Sequence, residues 1–519
     1  MELRTGMPAP RVAVVGAGMA GLTAALDLAL GGARVVVLER EASAGGKMRQ
    51  IQIGGARIDA GPTVFTLRPV FEELFRAAGT SLDACVPMTR ADILARHAWS
   101  ERERLDLVAD WHRNMDAIGE FAGRRDARNY ARFAHDARRI YQTLERTFMQ
   151  AQRPGLLELV RRVGWRGLPE LLRIRPFQSL WRALGGYFRD PRLRQLFARY
   201  STYCGSSPFA APATMMLIAH VEQEGVWTIA DGMQRVVTAL TDLGRNHGVE
   251  FRFGTEVEAV LTKVGRVSGV QLTTGEFVPT DAVVVNADYG AIASGLLGDD
   301  ISRTVPLPSR RRRSLSAVTW ALVARTSGFP LVRHSVFFSH DYAAEFEQIF
   351  RERQLPTSPT VYVCAEDREA ADNSTMSGPE RLLCLVNAPA SGDSNTFGPA
   401  EIDQCEQRTF SLLERYGLTV ERQRDSTVIT TPAQFERLFP GTGGGLYGQA
   451  THGWQATFRR PGARTHLPGL YLAGGSVHPG PGVPMAALSG RLAAASLLED
   501  LSSTRRSTRG AIRGGTSTD

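Results

Sequence analysis

Short apolar runs and glycines alternate at the front of the chain. Val12–Val15 is continuously apolar, too short for a helix, and it stops at Gly16-Ala17-Gly18-Met19-Ala20-Gly21. The residues after the glycines carry a helical pattern. A second run, Val35–Leu38, ends in Glu39. This reads as strand, glycine turn, helix, strand, acid. Residues 90–230 change character and read as helical, with few β-rich runs. Strand signals return at Gly248–Val260, read as strand, turn and strand, and at Val267–Thr273 and Asp281–Asp288. They recur at Ser316–Val323, Thr360–Cys364 and Leu382–Val386. Near the end, Gly469–Gly475 reads as a buried strand running into a glycine turn, with a helix from about Met485 to Leu501.

The opening unit is the βαβ pattern that holds a dinucleotide. Gly16 permits the tight turn. Gly18 lets backbone approach a pyrophosphate at the positive end of a helix. Gly21 allows close packing of helix on sheet, and Glu39 ends the second strand where a carboxylate can accept ribose hydroxyls. Taken alone, this fits a nicotinamide or a flavin dinucleotide equally well. Two further glycine turns follow: Ala44-Gly45-Gly46-Lys47-Met48-Arg49, with two cations that suit a phosphate, and Ile58-Asp59-Ala60-Gly61-Pro62-Thr63.

The pattern predicts an α/β chain with a discontinuous Rossmann-like nucleotide domain built from 8–89, 230–292 and 431–501. Residues 90–229 and 293–430 would form an interleaved α+β substrate domain, and 502–519 a disordered tail rich in Ser, Thr, Gly and Arg. The length of 519 residues suits two or three domains with large buried cores, and the 43% hydrophobic content with moderate charge suits a soluble or peripheral globular protein. No run matches a transmembrane helix, and Met1–Pro10 lacks the apolar stretch of a signal peptide, so the expectation is cytoplasmic residence. Five cysteines without a CxxC pair argue against a metal site or a disulfide framework. The net charge of +8 raises the question of nucleic acid, but Lys47 and Lys263 are the only lysines. The charge reflects an arginine-biased composition, and no nucleic-acid module is present.

The order of these motifs is specific. GxGxxG, an acid, a GG-basic turn, Asp59-Ala60-Gly61-Pro62-Thr63, a mid-chain T-x-V strand and a C-terminal Gly-Leu-Tyr-Leu-Ala-Gly-Gly segment resemble the FAD-binding amine-oxidase-like flavoproteins. Within that group the chain resembles the carotenoid desaturases of the phytoene desaturase family. The back segment, Ala473 through Ser476, His478, Gly480 and Gly482 to Met485, carries that likeness. Thr66–Phe71, Phe188–Phe197, Arg199–Tyr203, Ser314–Ser316, Tyr362–Asp367 and Asn387–Pro389 are similar to one branch, the 1-hydroxycarotenoid 3,4-desaturases.

The resemblance implies FAD. It places Gly16, Ala17, Gly18 and Gly21 at the pyrophosphate, Glu39 at the adenosine ribose, and Gly46 and Lys47 at the phosphate and ribityl region. Gly61, Pro62 and Thr63 would line the approach to the flavin. Val257 would meet the adenine through its backbone, and Gly475 and Met485 would lie along the ribityl chain and ring. Ser476 stands near where related flavoproteins carry an acid, so its hydroxyl would replace that contact. The implied reaction removes two hydrogens from C3 and C4 of an acyclic 1-hydroxycarotenoid. Hydride would leave C4 for flavin N5, and a proton would leave C3 of the polyene-delocalised cation. A phytoene-type desaturase or related carotenoid oxidoreductase, a non-catalytic prenyl-lipid escort on the same fold, and an amine oxidase are the alternatives.

His478 is the titratable candidate for catalysis beside the flavin, with packing in a glycine-rich turn as the competing role. His220 either meets a substrate hydroxyl or packs in the core. Between Arg153 and Arg199, Arg161, Arg162, Arg166, Arg173, Arg175 and Arg182 interleave with Leu156, Leu157, Leu159, Trp165, Leu171, Leu172, Phe177 and Trp181. That pattern suits a peripheral contact with an anionic membrane, or a solvated helical face. Arg310–Arg313 reads as a charged loop or a second surface contact. With no second GxGxxG for a nicotinamide, the expected electron acceptor is oxygen or a membrane quinone. The expected location is the cytoplasmic face of the inner or photosynthetic membrane.

Overall fold

The first apolar run is the central strand, Arg11–Val15, of a five-stranded parallel sheet in a computed structural model. The structure describes residues 9–153, 155, 161–162, 175, 177–368 and 378–513, with side chains to 503. Arg34–Leu38 and Ala282–Val285 pair on either side of the central strand. Glu250–Arg252 and Leu470–Leu472 form the outer strands. Alternation along the central strand feeds two cores. Val12 and Val14 face one that includes Leu22 and Leu26 of the helix Met19–Leu30, Leu240 of the helix Gln234–Asn246 and Leu497 of the last helix. Ala13 and Val15 face the other, with Val257, Val260 and Val270 of the antiparallel strands Val257–Lys263 and Arg266–Leu272.

A second, mixed sheet runs in the order Leu418–Glu421, Ser316–Gly328, Glu380–Ala388, Val361–Ala365, His334–Phe337, Ile93–Ala98, Arg104–Val108. Thr427–Thr430 also pairs with Ser316–Gly328. The strand signals at Ser316–Val323, Thr360–Cys364 and Leu382–Val386 all fall in it. The hairpin Ile93–Val108 departs from the helical reading of 90–230. Its polar residues obscured the strand: Arg96 pairs across the hairpin with Asp106 at 2.7 Å, and His97 is buried. Beyond it the expected helices appear, including Trp111–Ala122, Arg124–Leu144 and Leu217–Glu224.

The last helix, Val483–Arg513, continues through much of the segment for which the sequence pattern predicts no order. No helix among the described residues is long and apolar enough to cross a membrane, and no cluster of metal-ligating side chains occurs among them. Of the arginine-rich segment, Leu156, Leu157, Leu159, Trp165, Arg166, Leu171, Leu172 and Arg173 lie outside the described residues.

Candidate active site

One cavity of about 1480 Å³ runs from the glycine turn of the parallel sheet to the face of the second sheet. It exceeds the volume that one drug-sized ligand fills, which leaves room for a dinucleotide and part of a long substrate. Gly16, Gly18, Glu39, Gly46, Lys47, Gly61, Pro62, Thr63, Val257, Gly475, Ser476 and Met485 all line it. Ala17 and Gly21 stand behind the turn. The sequence reading therefore brought twelve of its fourteen cofactor positions to one surface, spread over 470 residues of chain.

The glycine turn is built by close backbone approach. Gly16 has φ of +97° and donates its N–H to the Leu38 carbonyl at 2.8 Å. A Cβ on Gly21 would stand 2.1 Å from the Gly16 carbonyl oxygen, so the helix can sit on the turn only with glycine there. The buried Glu39 carboxylate accepts the N–H of Ala17 at 2.6 Å and of Glu41 at 3.0 Å. Gly46 completes the cradle, with the place of its missing Cβ 3.2 Å from Gly18 Cα. Asn286, just past the strand Ala282–Val285, turns its amide oxygen toward Gly18. That oxygen is buried and has no hydrogen-bond partner among the described residues. A glycine cradle that a Cβ would fill, at the start of a helix and beside a strand-ending acid, fits a dinucleotide.

Farther along, Lys47 Nζ donates to the Leu446 carbonyl at 2.7 Å and lies 5.3 Å from the centre of the Phe439 ring. Burial pulls its pKa down. Gly61 packs against Lys47 backbone, while Thr63 shares a 2.7 Å hydrogen bond with the Tyr362 hydroxyl. Tyr362 in turn meets His334 Nδ1 at 2.8 Å. Asp59 acts from behind the wall: its carboxylate accepts the Met233 N–H at 2.6 Å and fixes the turn to the helix Gln234–Asn246. Arg460, buried in the cavity wall, donates to the carbonyls of Gln449 at 2.7 Å and of Tyr447 and Gly475 at 3.3 Å. It thereby ties the Leu446–Thr451 loop to the C-terminal glycine turn. Sequence reading missed Asn286, Tyr362 and Arg460. Asn286 carried a signal, since it ends a parallel strand at the carboxyl edge where such sheets bind ligands, and Tyr362 opens a stretch that carries the branch resemblance but was given no role.

The histidines depart from their functional readings. His478 does not line the cavity. Its Nε2 donates to the carbonyls of Phe148 at 3.0 Å and Ala151 at 2.9 Å. Burial lowers its pKa to about 4. The ring thus holds the backbone behind Phe148 and Met149, which do line the cavity. His220 also faces away, 3.5 Å from Glu224 and against Tyr141, while its neighbours Ile218, Val221 and Glu222 face in. Arg313 belongs to no surface patch: it is buried and clamps Asp393 through two bonds of 2.6 and 2.7 Å.

Residues 19–498 match the family described as flavin containing amine oxidoreductase. The fold agrees with solved structures, among them an oxidoreductase from Methanosarcina mazei (TM-score 0.58, 15% identity, covering 93% of this chain and 99% of that one). Putrescine oxidase bound to putrescine also matches, with TM-score 0.58 and 14% identity over 95% of this chain and 99% of that one. The class is therefore an FAD-dependent oxidoreductase on a Rossmann-like flavoprotein fold.

Within that class, the chain is 53% identical to a hydroxyneurosporene desaturase of Rubrivivax gelatinosus, over 98% of this chain and 97% of that protein. It is 44% identical to the hydroxyneurosporene desaturase of Cereibacter sphaeroides, over 96% and 99%. A phytoene desaturase of Neurospora crassa stands further off, at 29% over 95% and 85%. The chain belongs to the carotenoid desaturase family of flavin containing amine oxidoreductases.

Proposed function

We propose that this enzyme desaturates an acyclic 1-hydroxycarotenoid between C3 and C4. The observation that carries the reading is a largely apolar cavity that joins the glycine turn to the second sheet. It occurs in a chain 53% identical to a protein named for hydroxyneurosporene. Gly16, Gly18, Glu39, Gly46 and Lys47 would hold FAD, with Gly61–Thr63, Gly475, Ser476 and Met485 along its inner half. FAD, when bound, supplies a two-electron acceptor beside the substrate.

The protein's part is orientation and exclusion of water. Leu217, Ile218, Val221, Leu383 and Leu385 give the substrate end an apolar wall. C4 is allylic to the polyene, so positive charge developing there spreads along the chain and acidifies the C3 protons. A strong protein base is then unnecessary, which agrees with the placement of His478 as a positioning residue.

The substrate is a long hydrocarbon that resides in bilayers, so the cavity needs a membrane-facing mouth. Phe177, 70% exposed, lines the cavity beside Trp454, with ring centres 5.4 Å apart. Arg161, Arg162, Arg175 and Arg182 are exposed in the same stretch of chain. These features support peripheral attachment to an anionic membrane. Anaerobic turnover with and without added quinone separates a quinone acceptor from oxygen. The functional test is conversion of 1-hydroxyneurosporene in liposomes by FAD-loaded enzyme, read as the red shift of a polyene lengthened by one double bond. No conversion refutes the reading.

A further inference from the structure

An apolar cavity has little use for polar side chains, yet one patch of its wall carries several. Tyr342 lines the cavity and is 7% exposed, and its hydroxyl has no hydrogen-bond partner among the described residues. Its ring is fixed by Phe346, at 5.0 Å between centres, and by Phe338 and Trp181 at 6.2 Å. Thr360 and Asn387 line the same cavity. Both point at Glu345, one helical turn from Tyr342: Thr360 Oγ1 donates to it at 2.7 Å and Asn387 Nδ2 at 3.5 Å. Glu345 itself is 1% exposed and does not line the cavity. The carboxylate thus orders Thr360 and Asn387 from behind, so this patch presents neutral polar groups, while Arg199 and Glu222, which also line the cavity, are joined to each other through the Tyr203 hydroxyl at 2.8 and 2.7 Å. A buried hydroxyl left unpaired destabilises the fold, and a ligand group that bonds it removes that penalty.

We propose that Tyr342, Thr360 and Asn387 form the subsite for the terminal hydroxyl of the substrate. The inference rests on the 1-hydroxycarotenoid reading above. A neutral, hydroxyl-bearing patch in an apolar cavity matches one tertiary alcohol at the end of a hydrocarbon better than it matches an amine or an acid. The spacing also agrees. Thr360 and Tyr362 share a face of one strand, two residues and therefore about 7 Å apart. Tyr362 bonds Thr63, of the turn that approaches the cofactor. In the substrate the hydroxyl oxygen is separated from C4 by four bonds of about 1.5 Å, which span about 5 Å when extended. A hydroxyl held at Tyr342 and Thr360 therefore sets the C3–C4 bond near the Tyr362–Thr63 pair, one step nearer the cofactor.

The test compares 1-hydroxyneurosporene with the same hydrocarbon lacking the hydroxyl, using FAD-loaded enzyme and liposomes. Dissociation constants are read from the polyene absorbance and kcat/KM from product. Wild-type enzyme is expected to favour the hydroxylated chain at least tenfold in both. Tyr342→Phe removes one oxygen from a packed ring and should reduce the preference to about twofold, with FAD content and binding of the bare hydrocarbon unchanged. Asn387→Leu provides a second variant with the same expected loss of preference. If both variants keep the full wild-type preference, the subsite is refuted while the functional reading stands. If wild-type enzyme shows no preference for the hydroxylated chain, both are overturned.

Discussion

Replacing Gly61 with alanine tests the cofactor wall at its tightest point. A Cβ there would lie 1.8 Å from the Lys47 carbonyl oxygen, 2.9 Å from its carbonyl carbon and 3.4 Å from Met48 Cα. All three are backbone atoms, so no side chain can swing aside. Restoring a tolerable contact moves the Gly45–Lys47 turn or the Gly61–Thr63 turn by about 1 Å, and both line the cavity proposed to hold FAD. Overpacking of this kind costs about 2 kcal/mol. Displaced onto cofactor binding, that is about a thirtyfold rise in the FAD dissociation constant. Gly55→Ala is the control, because a Cβ at Gly55 meets nothing within 4 Å. The assay is flavin content after purification, followed by FAD titration of the apoprotein and thermal unfolding. A Gly61→Ala protein with the FAD affinity and unfolding temperature of the control would refute the assignment of this contact to the cofactor wall.

Three further outcomes follow from the geometry. Glu39→Gln leaves a buried amide facing the N–H groups of Ala17 and Glu41, so it should weaken FAD binding by about 2 kcal/mol, read by the same titration. His478 is held neutral by the fold, with its pKa lowered to about 4 from the ordinary 6.5. Protonation therefore favours the unfolded chain. Its cost is absent above pH 6.5, grows as the pH falls toward 4, and reaches about 2 kcal/mol at pH 5. His478→Gln should remove that share of the acid sensitivity in chemical denaturation at pH 5 against pH 7. Phe177→Asp removes an apolar side chain worth about 2 kcal/mol at a bilayer, and should cut co-flotation with anionic liposomes by at least tenfold while FAD content stays unchanged.

The cofactor half of the site was legible because its chemistry is backbone chemistry. Gly16, Gly18, Gly21, Gly46 and Gly61 are needed where chains approach too closely for a Cβ, and such positions mark a sequence directly. Glu39 was legible because it follows an apolar strand. The proposed substrate half is different. Tyr342, Thr360 and Asn387 come from a short helix and the ends of two strands. Nothing local distinguishes a tyrosine facing a cavity from one facing a core. The hairpin Ile93–Val108 was hidden for a related reason: its interior holds an Arg96–Asp106 pair where the pattern calls for apolar residues. The sequence left a catalytic and a packing role open for His478, and the structure shows its ring bonded to two carbonyls of a neighbouring loop. The last helix, finally, runs past Leu501 through a composition that reads as disorder.

The proposed substrate is a hydroxylated acyclic carotenoid rather than the uncoloured early hydrocarbon. The most direct measurement is a competition in which one FAD-loaded preparation receives 1-hydroxyneurosporene and phytoene together in liposomes, with each product quantified by chromatography over time. The expected dominant product is a 3,4-desaturated hydroxycarotenoid, with phytoene left unconverted. Conversion of phytoene with the hydroxylated chain untouched would contradict that proposal.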